Sequence, residues 1–279
     1  MLYKAQTLIG FTLKGIDGEI GTVKEFYFDD KHWTIRYLIA ETGTWLADRQ
    51  VLISPYALIG VEKAERHINV NLTRKQIEDS PTISNDKPVS LQFEDDFYRY
   101  YGWAPYYVGP LVWGAYPYLL PGKGELQEVK DHKETWNPFL RSTKAVSEYY
   151  IQATDGEIGH VEDFLIDDKV WAIRYMVVDT KNWWPGKKVI VSPQWIDRIS
   201  LNEAKVFVNL SLEAIKQSPE YTSESLLTRD YETRLHKHYR RPGYWADEQV
   251  AGGSQVEESM TNKNGLAQSF FSESTGSRK

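Results

Sequence analysis

The residues whose types and spacing first suggest chemistry are two acidic pairs, Asp29-Asp30 and Asp167-Asp168, and two arginines, Arg36 and Arg174, that follow them at the same interval. Adjacent carboxylates at a turn attract calcium, but calcium needs about six to eight oxygens from a ligand loop, and no further ligands at loop spacing flank either pair. Both pairs therefore read as structural turns. A guanidinium in mid-strand either pairs with a carboxylate, for which Asp17/Asp155 and Glu25/Asp163 are the candidates, or takes up an anion; the ion pair is the favoured reading. The six histidines, His32, His67, His132, His160, His236 and His238, fall at non-equivalent places, and there are no cysteines. That composition excludes thiolate metal sites, disulfides and cysteine nucleophiles. No Gly-x-Ser-x-Gly, His-Glu-x-x-His or phosphate-binding glycine motif is present, and Gly15, Gly18 and Gly21 have the wrong spacing for a dinucleotide fingerprint. The expectation is a protein that is not an enzyme, with no catalytic residue, no metal and no cofactor.

A second group is aromatic. Aromatics make up 14% of the chain, with 10 Trp and 18 Tyr, and they cluster between Phe97 and Tyr118 in a Pro/Gly-rich stretch. Trp103, Tyr106, Tyr107, Trp113, Tyr116 and Tyr118 are the candidate partner-binding residues. Three roles remain open for them: packing between two folded units, a protein-docking surface, or a membrane-interface belt. The net charge of −6 from 33 basic and 39 acidic residues argues against nucleic acid and weakens attraction to anionic lipid. Peripheral membrane contact is the less favoured reading, and no small-molecule substrate suggests itself.

The elements that must position these residues follow from an internal repeat. At an offset of 138 residues, Asp17-Gly18-Glu19-Ile20-Gly21 falls on Asp155-Gly156-Glu157-Ile158-Gly159, and Trp33-Thr34-Ile35-Arg36-Tyr37 on Trp171-Ala172-Ile173-Arg174-Tyr175. Ser54-Pro55 recurs as Ser192-Pro193, and Ser80-Pro81 as Ser218-Pro219. Between Gly15 and Pro81 the register holds without a gap, with 26 identities in 67 positions. Beyond it Tyr101 still meets Tyr239, and Tyr106 meets Tyr244. Units of this length are domains rather than solenoid repeats.

Within each unit the hydrophobic period is mostly two. Asp-Gly between apolar runs predicts a hairpin joining strands near 8–14 and 20–28, and the parity break at Val23 predicts a bulge and a curved sheet. Trp33, Ile35, Tyr37 and Ile39 alternate as one apolar strand face, as do Trp171, Ile173, Tyr175 and Val177. Further short strands are expected near 49–53 and 67–72. Short, curved antiparallel strands of this kind are expected to close into a small barrel. Thr73 with Gln76, and Ser211 in the second unit, predict helix N-caps, and a second helix is expected over 91–101 and again over 229–239.

The Asp-Gly-Glu-Ile-Gly, Asp-Asp, Trp-x-Ile-Arg-Tyr and Ser-Pro motifs resemble those of the PRC-barrel family, over Leu8–Pro81 and again over Ser147–Pro219. The family is named for the cytoplasmic barrel of the photosynthetic reaction-centre H subunit. The resemblance implies a mainly β chain of two tandem small β-barrels, each followed by short α-helices. The expected organisation is a first unit at 5–107, an aromatic linker at 108–142, a second unit at 143–245 and a disordered tail at 246–279. The two units are expected to fold separately, with linker aromatics holding them together. The functional expectation is a non-enzymatic binding or adaptor protein that docks on another protein, its identity open. The alternative is an H-subunit-like accessory in electron or proton transfer beside a membrane quinone protein. With no secretory pattern at the N-terminus and no apolar run long enough to span a bilayer, the chain is expected to be cytoplasmic.

Overall fold

The computed structural model describes residues 1–81, 89–106, 137–180, 186–222 and 227–246; the expected tail, most of the linker, and Tyr107, Trp113, Tyr116 and Tyr118 lie outside them. The first copy runs β1 (Leu2–Lys4), α1 (Ala5–Leu8), β2 (Thr12–Lys14), β3 (Glu19–Asp29), β4 (Thr34–Glu41), β5 (Gln50–Ile53), β6 (Leu58–Glu62), β7 (His67–Val70), α2 (Arg74–Glu78) and α3 (Leu91–Tyr101). The second repeats the order with β8 (Leu140–Ser142), α4 (Thr143–Val146), β9 (Tyr150–Ala153), β10 (Gly156–Asp167), β11 (Ala172–Asp179), β12 (Lys188–Val191), β13 (Ile196–Ser200), β14 (Lys205–Val208), α5 (Leu212–Lys216) and α6 (Arg229–Tyr239).

The local chemistry explains the repeated motifs. Asp17 Oδ1 accepts from the Arg74 amide at 2.8 Å, and Asp155 Oδ1 from the Leu212 amide at 2.7 Å, so each hairpin aspartate ties the β2–β3 or β9–β10 turn to the following helix. A Cβ on Gly21 or Gly159 would lie 2.1 Å from the carbonyl oxygen of Glu41 or Asp179; only glycine permits that approach. Thr73 and Gln76 form a complete capping box on α2, and Ser211 caps α5 through the Ala214 amide.

Among the described residues the strands form one fourteen-stranded sheet rather than two closed rings. Its hydrogen-bonded path runs β13-β14-β9-β10-β11-β4-β3-β2-β7-β6, with β5 on β4 and β12 on β11. Two ends remain, so the ladder does not close as the short, curved strands led one to expect. Inside each copy β2 and β7, and β9 and β14, pair in parallel, while the long hairpins are antiparallel. The bulge expected near Val23 is present between Val23 and Glu25, and it recurs between Val161 and Asp163.

What joins the copies is backbone, exchanged reciprocally. Strand β1 of the first copy pairs with β10 of the second, Leu2 opposite Asp167, and β8 pairs with β3, Leu140 opposite Asp29. Between these, the Ile35 amide donates to the Trp171 carbonyl and the Ile173 amide to the Trp33 carbonyl, both at 2.7 Å. The short helices seal the seam. The Phe26 amide meets Thr143 Oγ1 at 3.3 Å, and the Gln6 amide meets Asp163 Oδ1 at 3.2 Å. The strands 2–4 and 140–142, which the sequence reading left outside its units at 5–107 and 143–245, are the exchanged pieces.

One apolar core accordingly runs through both copies, with Leu8, Phe26, Phe28, Trp33, Val146, Phe164 and Trp171 all in it. Phe28 stacks on Trp33 and touches Phe164 of the other copy at 5.4 Å between ring centroids, and Phe26 approaches Trp171. Burying one such side chain stabilises by about 1.5–3 kcal/mol, so the seam is a core and not a contact between finished barrels. A smaller cluster of Tyr37, Ile39, Leu52, Phe97, Tyr98 and Tyr106 lies between β4, β5 and α3.

Candidate functional site

The polar centre of each copy is built by a second bulge. In the β3–β4 pairing Tyr27 faces Tyr37 and Phe28 faces Ile35, so Arg36 is an extra residue; Arg174 is skipped in the same way between Ile173 and Tyr175. A bulge re-aims side chains. Here it splits the expected alternating face: Ile35 and Leu38 enter the main core, whereas Tyr37 and Ile39 turn toward α3. It also brings a fully buried guanidinium into the space next to Tyr37.

Arg36 pairs with Asp29, Nη2 to Oδ2 at 2.9 Å, and Arg174 with Asp167, Nη2 to Oδ2 at 3.1 Å. The partner is thus the first residue of each acidic pair and not Asp17/Asp155 or Glu25/Asp163. His32 Nδ1 lies 2.9 Å from the same Asp29 oxygen. Burial works to raise the Asp29 carboxyl, but the His32 hydrogen bond and the charges of Arg36 and His32 outweigh it and hold the group well below the usual carboxylate range. Asp29 Oδ1 also accepts from the Lys31 and His32 amides, and Asp167 Oδ1 from the Lys169 amide, the side-chain turn. Asp30 goes the other way: burial pushes it up to about 6, against the pull of Arg141 at 2.8 Å.

Beyond the arginine stands a buried glutamate. Glu94 Oε1 accepts from Tyr37 Oη at 2.8 Å and from Tyr106 Oη at 3.0 Å, and Oε2 accepts from Asn137 Nδ2 at 2.8 Å. The Arg36 guanidinium lies over the Tyr106 ring at 4.0 Å. Burial raises the Glu94 carboxyl to about 7, opposed by these hydrogen bonds and by Arg36. In the second copy Glu232 Oε1 accepts from Tyr175 Oη at 3.0 Å and Tyr244 Oη at 2.9 Å, and Arg174 covers Tyr244 at 4.1 Å. Here Arg229 supplies a counter-charge, Nη1 to Oε2 at 3.2 Å, and His236 Nε2 reaches Tyr175 Oη at 3.1 Å. Burial lowers the His236 imidazole.

Beside this centre the first copy carries an aromatic ledge. Trp103, half-buried, stacks on Tyr101 at 4.5 Å and approaches Tyr56 at 5.7 Å. Tyr56 and Tyr100 are each 40% exposed. Of the expected partner-binding residues, then, the structure places Trp103 at the surface and Tyr106 in the interior as a donor to Glu94.

The first copy coincides with a known fold family, whose sequence model matches residues 2–77. The chain carries a PRC-barrel domain. The match begins at β1, the strand lent to the other copy, and ends within α2. No curated protein matches the chain. Among the described residues no group of three or more His, Asp or Glu is arranged to hold a metal, and no helix is long and apolar enough to cross a membrane. Glu94 and Glu232 escaped the sequence reading because each looks like one more acid on a polar helix face. The 138-residue register was the available signal, since it aligns Glu94 with Glu232 as it aligns Tyr37 with Tyr175 and Tyr106 with Tyr244.

Proposed function

We propose that this chain is a non-enzymatic docking protein made of two PRC-barrel-like copies fused through exchanged strands, and that it meets a protein partner on the ledge of Tyr56, Tyr100 and Trp103. The observation that carries the reading is an asymmetry. The second copy replaces Tyr56 by Gln194, Tyr100 by His238 and Trp103 by Arg241, and it buries its own tryptophan, Trp195, against Tyr239 at 4.4 Å. At these three positions the first copy is aromatic and the second polar. Exposed aromatics with polar tips are what interface hot spots are made of.

The test converts the ledge to the residues of the second copy, Tyr56→Gln with Trp103→Arg, in the full chain. Proximity labelling in cells should lose a defined set of proteins captured by the wild type, while circular dichroism and gel filtration remain unchanged. An identical captured set would remove the ledge as the docking surface. Enrichment of wild type in the membrane fraction together with a quinone-binding protein would favour the H-subunit-like reading instead.

A further inference from the structure

Each copy aims two tyrosine hydroxyls at one oxygen of a buried glutamate. Tyr37 and Tyr106 donate to Glu94 Oε1 at 2.8 and 3.0 Å, and Tyr175 and Tyr244 donate to Glu232 Oε1 at 3.0 and 2.9 Å. The other oxygen of each is taken by Asn137 Nδ2 or by Arg229 Nη1, so each carboxyl is held as the acceptor-only, ionised form. Ring packing alone asks for no such group, since a carboxylate buried among aromatics carries a desolvation penalty. An indole stands at the end of each cluster. Half-buried Trp103 reaches Tyr37 through a single ring, Phe97, at centroid separations of 6.2 and 5.5 Å. Half-buried Trp245 lies 5.2 Å from Tyr244, and Tyr244 lies 6.3 Å from Tyr175.

We propose that Tyr37 is a redox-active tyrosine: a one-electron oxidant of the peroxyl-radical class withdraws an electron through Trp103, and Glu94 takes the phenolic proton. At the ledge the peroxyl radical gains one electron from Trp103 and one proton from water, leaving a hydroperoxide and hydroxide. The Trp103 radical cation then takes an electron from Tyr37, whose O–H bond breaks as the proton passes to Glu94 Oε1. Trp103 is restored, and a neutral phenoxyl radical and a carboxylic acid remain. A one-electron reductant such as a thiolate or ascorbate returns the electron, and Glu94 returns the proton. A phenol that has lost an electron is a strong acid, so a base already within hydrogen-bond reach decides whether a buried tyrosine can be oxidised.

The cations pick the residue and the copy. Arg36 lies over the Tyr106 ring at 4.0 Å and Arg174 over the Tyr244 ring at 4.1 Å. A positive charge against a ring face opposes removal of an electron from that ring, which leaves Tyr37 and Tyr175 as the easier donors. Arg229 lies over Trp245 at 4.2 Å and likewise opposes oxidation of that indole, so the first copy offers the easier route.

The full chain, oxidised by flash-generated ruthenium(III) tris-bipyridine and freeze-trapped at successive times, tests this by electron paramagnetic resonance. Exposed tyrosines give a background common to every variant, so the Tyr37 component is the difference between wild type and Tyr37→Phe. In Glu94→Gln, whose amide oxygen can keep the tyrosine hydrogen bonds but cannot take the proton, that component should be lost and an indolyl radical should accumulate instead. In Trp103→Phe it should form several-fold more slowly. A wild-type signal equal to that of Tyr37→Phe, a component that persists in Glu94→Gln, or one that forms at the wild-type rate in Trp103→Phe would overturn the relay. If Glu94→Gln does not fold, electron–nuclear double resonance on the wild-type radical replaces it. A proton coupled to the phenoxyl oxygen should be present in water and absent in heavy water, and a radical without that coupling counts against Glu94 as the base.

Discussion

Where the second copy carries Trp195 the first carries Ala57, and where the first carries Trp103 the second carries Arg241. The tyrosine that both copies place near the end of the last helix, Tyr101 or Tyr239, nonetheless has an indole against it in each, at 4.5 and 4.4 Å. The same gap is filled from two different points of the chain. In the second copy the indole comes from the turn before β13 and is buried; in the first it comes from the segment after α3 and is half-exposed. The pair of copies thus shows how packing requirements can be met while surfaces diverge: the buried framework of arginine, aspartate, tyrosine and glutamate is kept, and the periphery is free to specialise.

The most severe way to break this comparison is to separate the copies. Expressed alone, 1–123 would lose β8 and the Trp171 contacts, and 124–246 would lose β1 and the Trp33 contacts. Neither half should appear as a folded monomer, and mixing or co-expression should restore a one-to-one complex measurable by analytical ultracentrifugation. A stable monomeric half would show that the seam is dispensable. Next come the seam tryptophans. Trp33→Ala and Trp171→Ala should each cost about 3–5 kcal/mol, and because one core serves both copies, either should lower the stability of the whole chain in a single transition followed by denaturant. Two separate transitions would restore the picture of independent units.

Asp29→Asn leaves a fully buried Arg36 without its carboxylate, a loss of about 3 kcal/mol or more. The pH dependence has a defined sign. Asp29 lies well below its ordinary value, so its contribution is present above the unfolded carboxylate range and lost as the pH falls below it; Asp30, raised to about 6, contributes below 3.8 and loses that contribution as the pH rises through 6. Acid titration of Asp29→Asn should therefore be flatter than that of wild type below about pH 4, and a parallel curve would deny Asp29 this role.

The smallest expected effect concerns the free ends of the sheet. The edge strand β13 carries Asp197 and Arg198, which pair with each other at 3.5 Å, whereas β6 has Ile59, 69% exposed, and Gly60 at those positions. Charged edges resist strand addition. Ile59→Asp should change stability by no more than about 0.5 kcal/mol and should reduce aggregation on heating, as followed by light scattering; an unchanged aggregation onset would mean that β6 is not the exposed edge that matters.

Local features were open to sequence reasoning because they are written in neighbouring residues. The Asp-Gly hairpins, the bulge after Val23, the capping box at Thr73–Gln76 and the helices at 91–101 and 229–239 all carry their signal within a dozen positions. The strand expected near 8–14 begins only at Thr12, since Ala5–Leu8 turn as α1 to cover the seam. Two things were beyond such reasoning. Strands of three residues, 2–4 and 140–142, have no readable period, and their partners lie more than a hundred residues away. The Arg36 bulge depends on how β3 meets β4, so Tyr37 could not be told from its neighbours as the residue that turns to meet Glu94.

The exchanged strands also set a timetable for synthesis. Leu2–Lys4 is made first, but the strand it pairs with, Leu165–Asp167, emerges only after some 160 further residues, which at about 5–20 residues per second is roughly 10–30 s later. Until β8 follows, the nascent first copy holds the Tyr27–Asp29 end of β3 unpaired on one side, and Phe28 and Trp33 lack the cover of Phe164 and the second copy. Pairings of such long sequence separation form slowly, and a second nascent chain on the same message presents an identical β1 and an identical open β3. The 138-residue repeat thereby makes the neighbouring ribosome the most immediate competitor for correct assembly, and the speed of translation through the linker a determinant of yield.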